Sequence, residues 1–468
     1  MSKSEDSAPP DEGDKTLLDK ALSIFAEVKG GEGLTAVIMT LTVFLLLVSY
    51  YLLKTVREPL ILATGELPVK GAELKAYTTA GQAVLLIGFV QVYAVLTRRL
   101  KRMKLLSVCW IFFASNLVLF WLLAYLKVPY LGVAFFLWLG CFSVTVVAQF
   151  WSFANDIYSQ EQGKRLFAII GIGMSTGAVG GSYLAEKLIE PVGPYPMMLV
   201  AAALLGASLL LVWVVNAREE RRPSQAKVED KPVGGKAGFA MLLGDRYLLL
   251  IGVLILLLNW VNTTGEFILD KYILQAAQPL VDAAGDPEAK KKALEIFVGE
   301  FRGDFFTWVN LVGAVLQFFL VSRIIKYLGV RVALFSLPII ALVTSGVMAF
   351  VPVLAAVRIA KIAENATDYS VYNTVKQALW LPTDRAAKYN AKAAVDTFIV
   401  RIGDLLSGGT VALGTYLGLG VSQFALVNLG LIGIWLLVVV LLAREHKKRE
   451  EATPEGRESA TKEVGATA

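Results

Sequence analysis

Ionisable residues recur inside the apolar stretches of this 468-residue chain. At the end of the first long apolar run, Lys54, Arg57 and Glu58 fall at i, i+3 and i+4 and share one helix face. Two cations in one wall suit an anionic ligand. A run near 247–269 carries Asn259, Asn262 and Glu266, with Asp270 one turn further on and Lys271 beside it. The most polar run, near 354–379, steps through Arg358, Lys361, Glu364 and Asp368 by three, three and four, drawing one charged stripe. A later run holds Asp396, Arg401 and Asp404, the last two spaced to pair within a helix. Trp151, Phe153, Asn155 and Asp156 set rings beside an amide and a carboxylate, groups that stack on and hydrogen-bond a planar base.

Charge at membrane depth costs at least ~2.5–3.5 kcal/mol per group on insertion scales, so such residues face a cavity or one another. Substrate contact is therefore expected of Lys54, Arg57, Glu58, Trp151, Phe153, Asn155, Asp156, Asn259, Asn262, Glu266, Arg358 and Lys361. Gating or coupling is expected of Glu364, Asp368, Asp396, Arg401 and Asp404. Structural roles compete with these: a snorkelling helix end for Lys54 and Arg57, interfacial or locking ion pairs for the rest, and an aromatic belt for Trp151 and Phe153.

Other chemistry is poorly served. The single histidine, His446, falls in a polar tail, and Cys109 and Cys141 lie inside apolar runs. No Walker lysine motif, HExxH pair or nucleophile elbow occurs, and no nucleophile, base and orienter assemble into an enzyme. Neither a cofactor nor a metal is expected. Gly171 and Gly173 invite a dinucleotide-loop reading, but Gly177 falls one residue late and no strand precedes them. Gly173, Gly177 and Gly181 instead form a small-residue face for close helix packing.

The elements that must position these groups are membrane spans. The chain is 56% hydrophobic and only 18% charged, where soluble domains carry roughly 25% charged residues. Apolar runs near the ~20 residues needed to cross a bilayer lie at about 35–53, 78–97, 104–126, 130–154, 165–188 and 194–216, then 247–269, 304–325, 331–352, 354–379, 391–417 and 421–443. The expected fold is thus all-α, twelve transmembrane helices in two six-helix bundles, the layout of major-facilitator-type transporters with a site between the halves. The boundaries read as an N-terminal segment 1–33, bundles 34–216 and 247–443, a linker 217–246 and a tail 444–468. A mixed-charge loop is expected at 276–302. The acid-rich start, Met1 to Lys15, does not read as a cleaved signal peptide. Basic residues such as Arg99, Lys101, Arg102 and Lys104, then Arg323, Lys326 and Arg331, then Lys447 and Lys448, fall in alternate connections. That bias puts both termini and the linker in the cytoplasm, and the protein in a plasma (inner) membrane.

At Lys54-Thr55-Val56-Arg57-Glu58, Phe150-Trp151-Ser152-Phe153-Ala154-Asn155-Asp156 and Lys392-Ala393-Ala394-Val395-Asp396, the sequence resembles the ATP/ADP (NTP/NDP) translocase family over about 20–445. The resemblance implies a twelve-helix fold and nucleotide antiport, with Arg57 at a phosphate-binding position and Asn155 and Asp156 in the span-four motif. The chain departs from the family's pattern at Leu137-Trp138-Leu139, at Asn262 and at Gly403-Asp404. These departures place it nearer the divergent free-living bacterial branch.

The leading reading is a transporter of nucleotides or a related phosphate-bearing anion, monomeric, with lipid around it and no nucleic-acid partner. Two others stay open at this point: a proton-coupled symporter of another solute using Glu58, Glu266, Glu364 or Asp404, and a non-transporting sensor or scaffold on the same fold.

Overall fold

The computed structural model describes residues 16–22, 27–65, 68–219, 238–384 and 387–452, and these are helical throughout apart from turns and short connections. Helices α1 (Leu17–Leu22), α2 (Gly33–Leu62), α3 (Gly71–Arg99), α4 (Arg102–Tyr125), α5 (Leu131–Ile157), α6 (Gln160–Val192) and α7 (Pro194–Glu219) make the N-half. The C-half runs from α8 (Gly238–Gly244) and α9 (Arg246–Ala283) through α10 (Pro287–Val315), α11 (Val321–Ala333), α12 (Ser336–Phe350) and α13 (Leu354–Thr367). It ends with α14 (Asn373–Ala378), α15 (Lys392–Ala394), α16 (Val400–Tyr416) and α17 (Val421–Ala452). Wider π-helical turns at Leu316–Leu320, Asp368–Tyr372, Ala387–Ala391 and Val395–Ile399 interrupt the C-half.

Among the described residues ten helices are long and apolar enough to cross a membrane; α12 is apolar but shorter, and the charged α13–α14 stretch does not qualify by composition. Three expected boundaries are corrected. The loop at 276–302 is helix on both sides of a short connection: α9 runs on to Ala283, and α10 starts at Pro287, capped by the Asp286 carboxylate accepting from the Ala289 N–H at 2.8 Å. The linker shortens, because α7 reaches Glu219 and α8 occupies 238–244, while 220–237 lies outside the described residues. The polar tail is helical to Ala452, and His446 is buried in it, sharing a 2.7 Å hydrogen bond with the Tyr247 hydroxyl. The helix end lies against the start of α9, where Arg449 pairs with Asp245.

The glycine face packs as expected. A Cβ on Gly173, Gly177 or Gly181 would come within 2.5–2.8 Å of backbone atoms of Thr40, Phe44 and Val48 on α2, so α6 lies hard against α2 only because these side chains are missing.

Ion pairs define two faces. Where α2 begins and α17 ends (the terminal face), pairs stay within a half: Arg165–Glu32 at 3.0 Å, Arg102–Asp156 at 3.1 Å, and Arg449–Asp245. Burial pushes the Glu32 carboxyl up, but hydrogen bonds from Arg165, the Lys29 N–H and Gln162 outweigh it and hold it below the usual carboxylate range. At the opposite, distal face three pairs also cross between halves: Lys75–Asp270 at 2.7 Å, Lys127–Glu288 at 3.1 Å, and Lys271–Glu73. Charge thus ties the halves together at the distal face, among the described residues.

Candidate functional site

Helix α2 carries the site's N-half charges because it sits at the centre of its bundle, with α5, α6 and α7 around it and α10 of the C-half against it. At its distal end Glu58 is 1% exposed and faces three cations. Arg57 pairs with it from the next position, Lys75 of α3 donates to it at 2.5 Å, and Arg302 of α10 lies 3.9 Å away from the other half. Lys75 reaches across to Asp270 on α9, and Arg302 pairs with both Asp270 and Glu266, the latter at 2.9 Å. Glu266 also faces Lys361 at 3.4 Å and accepts from Asn365 at 3.2 Å. Lys361 in turn donates to Glu364 at 2.8 Å and to Asn262 at 3.3 Å. Its ammonium fits because Gly265 has no side chain: a Cβ there would stand 3.3 Å from Lys361 Nζ.

Four carboxylates (Glu58, Glu266, Asp270, Glu364) thus face four cations (Arg57, Lys75, Arg302, Lys361). An unpaired charge buried here would be strongly destabilising, so the balance is a condition of folding. The arrangement also suits motion. Glu58–Lys75 lies wholly in the N-half and Asp270–Arg302 wholly in the C-half, so separating the halves breaks the cross pairs yet strands no charge.

Lys54 stands outside this balance. No carboxylate lies within ion-pair distance of it among the described residues; aromatic rings surround it instead. Its Nζ is 4.4 Å from the Phe306 ring centre, 5.0 Å from Tyr51 and 5.4 Å from Tyr369, within cation–π reach. Tyr369 belongs to the C-half yet is 44% exposed, so open space adjoins the point where the halves meet at Lys54. One turn along α2, Arg57 is partly accessible, its guanidinium 4.5 Å over the Phe136 ring.

The structure brings Lys54, Arg57, Glu58, Asn262, Glu266, Lys361 and Glu364 into this one region. Others it leaves apart. Arg358 pairs with Asp304 on the lateral surface, a turn away from Lys361 but on another side of α13. Trp151 packs edge-on against Phe167, Phe153 is fully buried under Arg102, and Asp156 pairs with Arg102, all toward the terminal face, where Asn155 is exposed. Asn259 donates to the Ile255 carbonyl beside Gly403. Asp368 pairs with Lys376, and Asp404 pairs with Arg401 at 3.2 Å while accepting from Thr263. Asp396 is exposed on a π-helical turn. Lys75, Arg302, Phe306 and Tyr369 carry the site without having been singled out from sequence. The available signal for Lys75 and Arg302 was an ionisable group two or three residues outside an apolar run.

A match to the family described as "TLC ATP/ADP transporter" covers residues 346–446. ADP,ATP carrier protein 1 of Chlamydia pneumoniae is 24% identical over 367 residues, 67% of this chain and 68% of that protein. Its counterpart in Chlamydia trachomatis is 24% identical over 66% of this chain and 65% of that protein. In sequence this chain is thus similar to ATP/ADP translocases, at low identity. Its alignments thus span about two thirds of the length of those two carriers. A chloroplastic ADP,ATP carrier protein 1 from Arabidopsis thaliana is 25% identical over 64% of this chain and 50% of that protein. The fold is similar to solved transporters of the major-facilitator type. The nucleoside transporter NupG, in a mutant form, matches with a TM-score of 0.63 at 10% identity, covering 87% of this chain and 99% of that one. The POT family transporter PepTSo matches at 0.62 and 13% identity, covering 90% and 99%. The proteins it is similar to are named as carriers and transporters.

Proposed function

We propose that this protein is a secondary transporter that exchanges nucleotides of the ATP/ADP class across a bilayer by alternating access. The observation that carries this is Lys54: a cation with no carboxylate partner among the described residues, set among rings, beside open space where the two halves meet. An anionic phosphate supplies the missing partner, and Arg57, one turn on, can share it while Glu58 keeps Lys75. The aromatic side chains offer faces for a base. Exchange needs no hydrolysis, since bound substrate lets the halves rock and the empty carrier returns slowly.

On this reading α12 and the α13–α14 stretch complete twelve crossings in the two bundles. The charged α13 is tolerated in the membrane because Lys361 and Glu364 face protein and not lipid. The basic connections put the terminal face and both termini in the cytoplasm of a plasma (inner) membrane, with the distal ion pairs as the outer closure. We read the carrier as a monomer.

Proteoliposomes loaded with ADP or ATP test the proposal through uptake of labelled nucleotide from outside. Counterflow that needs nucleotide on both sides, and that falls in Lys54→Gln, supports it. Equal uptake into empty vesicles, or no uptake of any nucleotide, overturns it.

A further inference from the structure

An amphipathic crevice on the lateral surface lies apart from the Lys54 region. Near the distal ends of α6, α10 and α13, a cavity of about 440 Å³ is walled by the charged Glu186, Lys187, Glu190, Glu300, Asp304 and Arg358, with two phenylalanine rings of α10 between them. Arg358 also closes one end of a second cavity of about 440 Å³, otherwise lined by Trp308, Ala355, Ile359 and Ile362. Trp308 lies one turn past Asp304 on α10, and Ile362 one turn past Arg358 on α13, both on the side away from the distal face. The apolar groove therefore runs from the polar crevice toward the membrane midplane. Trp308 is 47% and Ile359 70% exposed. Headgroup chemistry above and acyl-chain chemistry below share one wall residue.

The charges choose the headgroup. Four carboxylates and two cations leave the polar crevice at −2. Glu186 is tied to Lys187 at 2.7 Å and Asp304 to Arg358, so Glu190 and Glu300 are the carboxylates with no ion-pair partner among the described residues. Both are exposed. Two free acceptors suit a primary ammonium, which donates up to three hydrogen bonds, whereas a quaternary ammonium donates none. Arg358, at the junction, pairs with Asp304 through one nitrogen and keeps further guanidinium N–H donors for the adjoining phosphate.

We propose that this crevice binds a phospholipid with a primary-amine headgroup, of the phosphatidylethanolamine class. Glu190 and Glu300 hold the ammonium, Arg358 meets the phosphate, and an acyl chain lies along Trp308, Ile359 and Ile362. Helix α6 belongs to the N-half and α10 and α13 to the C-half, so the lipid bridges a seam that must shear when the halves rock. Lipid class then sets transport rate without touching the nucleotide.

Native mass spectrometry of the full chain, titrated with lipids of identical acyl chains, tests this by binding alone and so apart from the nucleotide reading. Phosphatidylethanolamine should be retained about tenfold more than phosphatidylglycerol, the range a charge-assisted hydrogen bond supplies. Phosphatidylcholine should fall below phosphatidylethanolamine. The Glu190→Gln/Glu300→Gln double variant, altered only at exposed positions, should unfold at the wild-type temperature and lose the preference. Ile359→Trp, filling the groove, should lower retention of all three lipids. Equal retention of the ethanolamine and choline lipids, preference for the glycerol lipid, an unchanged preference in the double variant, or unchanged retention in Ile359→Trp would each overturn the proposal.

Discussion

The Lys54 ammonium lies 3.5 Å from the Tyr369 hydroxyl, across the seam between the two halves, with no carboxylate in ion-pair reach among the described residues. Its neighbours on the same seam are all paired, so Lys54 supplies the surplus charge of the site. Removing it should harm binding without harming the fold. Lys54→Gln should raise the KM for nucleotide in counterflow about ten- to a hundredfold, the loss of one charge-assisted hydrogen bond of ~1.5–3 kcal/mol. Lys54→Arg should keep most affinity, and thermal unfolding without nucleotide should stay at the wild-type value for both. A wild-type KM in Lys54→Gln would remove the residue from the site.

Arg302 predicts the opposite pattern. It is fully buried and serves Asp270 and Glu266, with Glu58 at 3.9 Å. Arg302→Met leaves those carboxylates short of a cation and should cost about 3–5 kcal/mol of stability. Adding Asp270→Asn should return part of it, because the stranded charge goes too. Detergent-solubilised unfolding curves for the single and double variants measure both effects, and additive losses would refute the pairing.

The α2–α6 contact makes a steric prediction. At Gly177 a Cβ would meet the Phe44 carbonyl oxygen at 2.6 Å, whereas at Gly180 it would meet only ring carbons of Phe44 at 3.9 Å. Gly177→Ala should therefore destabilise by about 1–3 kcal/mol. Gly180→Ala should be near neutral or gain slightly from helix propensity. Similar melting temperatures for the two variants would show that the helices are not held this close.

Acid should loosen the terminal face through Glu32. Its carboxyl is held below the ordinary glutamate value of 4.5, so its contribution is fully present above that pH and is lost as pH falls through the lower folded value. Glu32→Gln should be less stable than wild type at neutral pH, and the gap should narrow as pH drops below 4.5. Unfolding measured from neutral to acid pH checks the sign; a gap that widens in acid would contradict it.

By itself the sequence determined that the chain crosses a membrane many times, since its apolar runs have no other stable environment. It determined that the charged stripe through Lys361 and Glu364 must face a partner or a cleft, because lipid cannot solvate it, and left Lys54 and Glu266 open between an inward site and an interfacial helix end. The Gly173–Gly177–Gly181 spacing announced a close helix contact, because a four-residue repeat fixes one helix face. The tertiary structure alone decided which charges meet. Arg302 and Lys75 lie outside the apolar runs and look like interfacial residues, yet packing buries them between Glu58 and Asp270, more than 200 residues apart. Arg358 and Lys361 share a stripe on paper, but three residues of helix leave them about 60° apart. Packing against α10 turns Arg358 to Asp304 and the surface, and Lys361 to Glu266 and the seam. Periodicity reports which face a residue is on; only the neighbouring helices settle what that face touches.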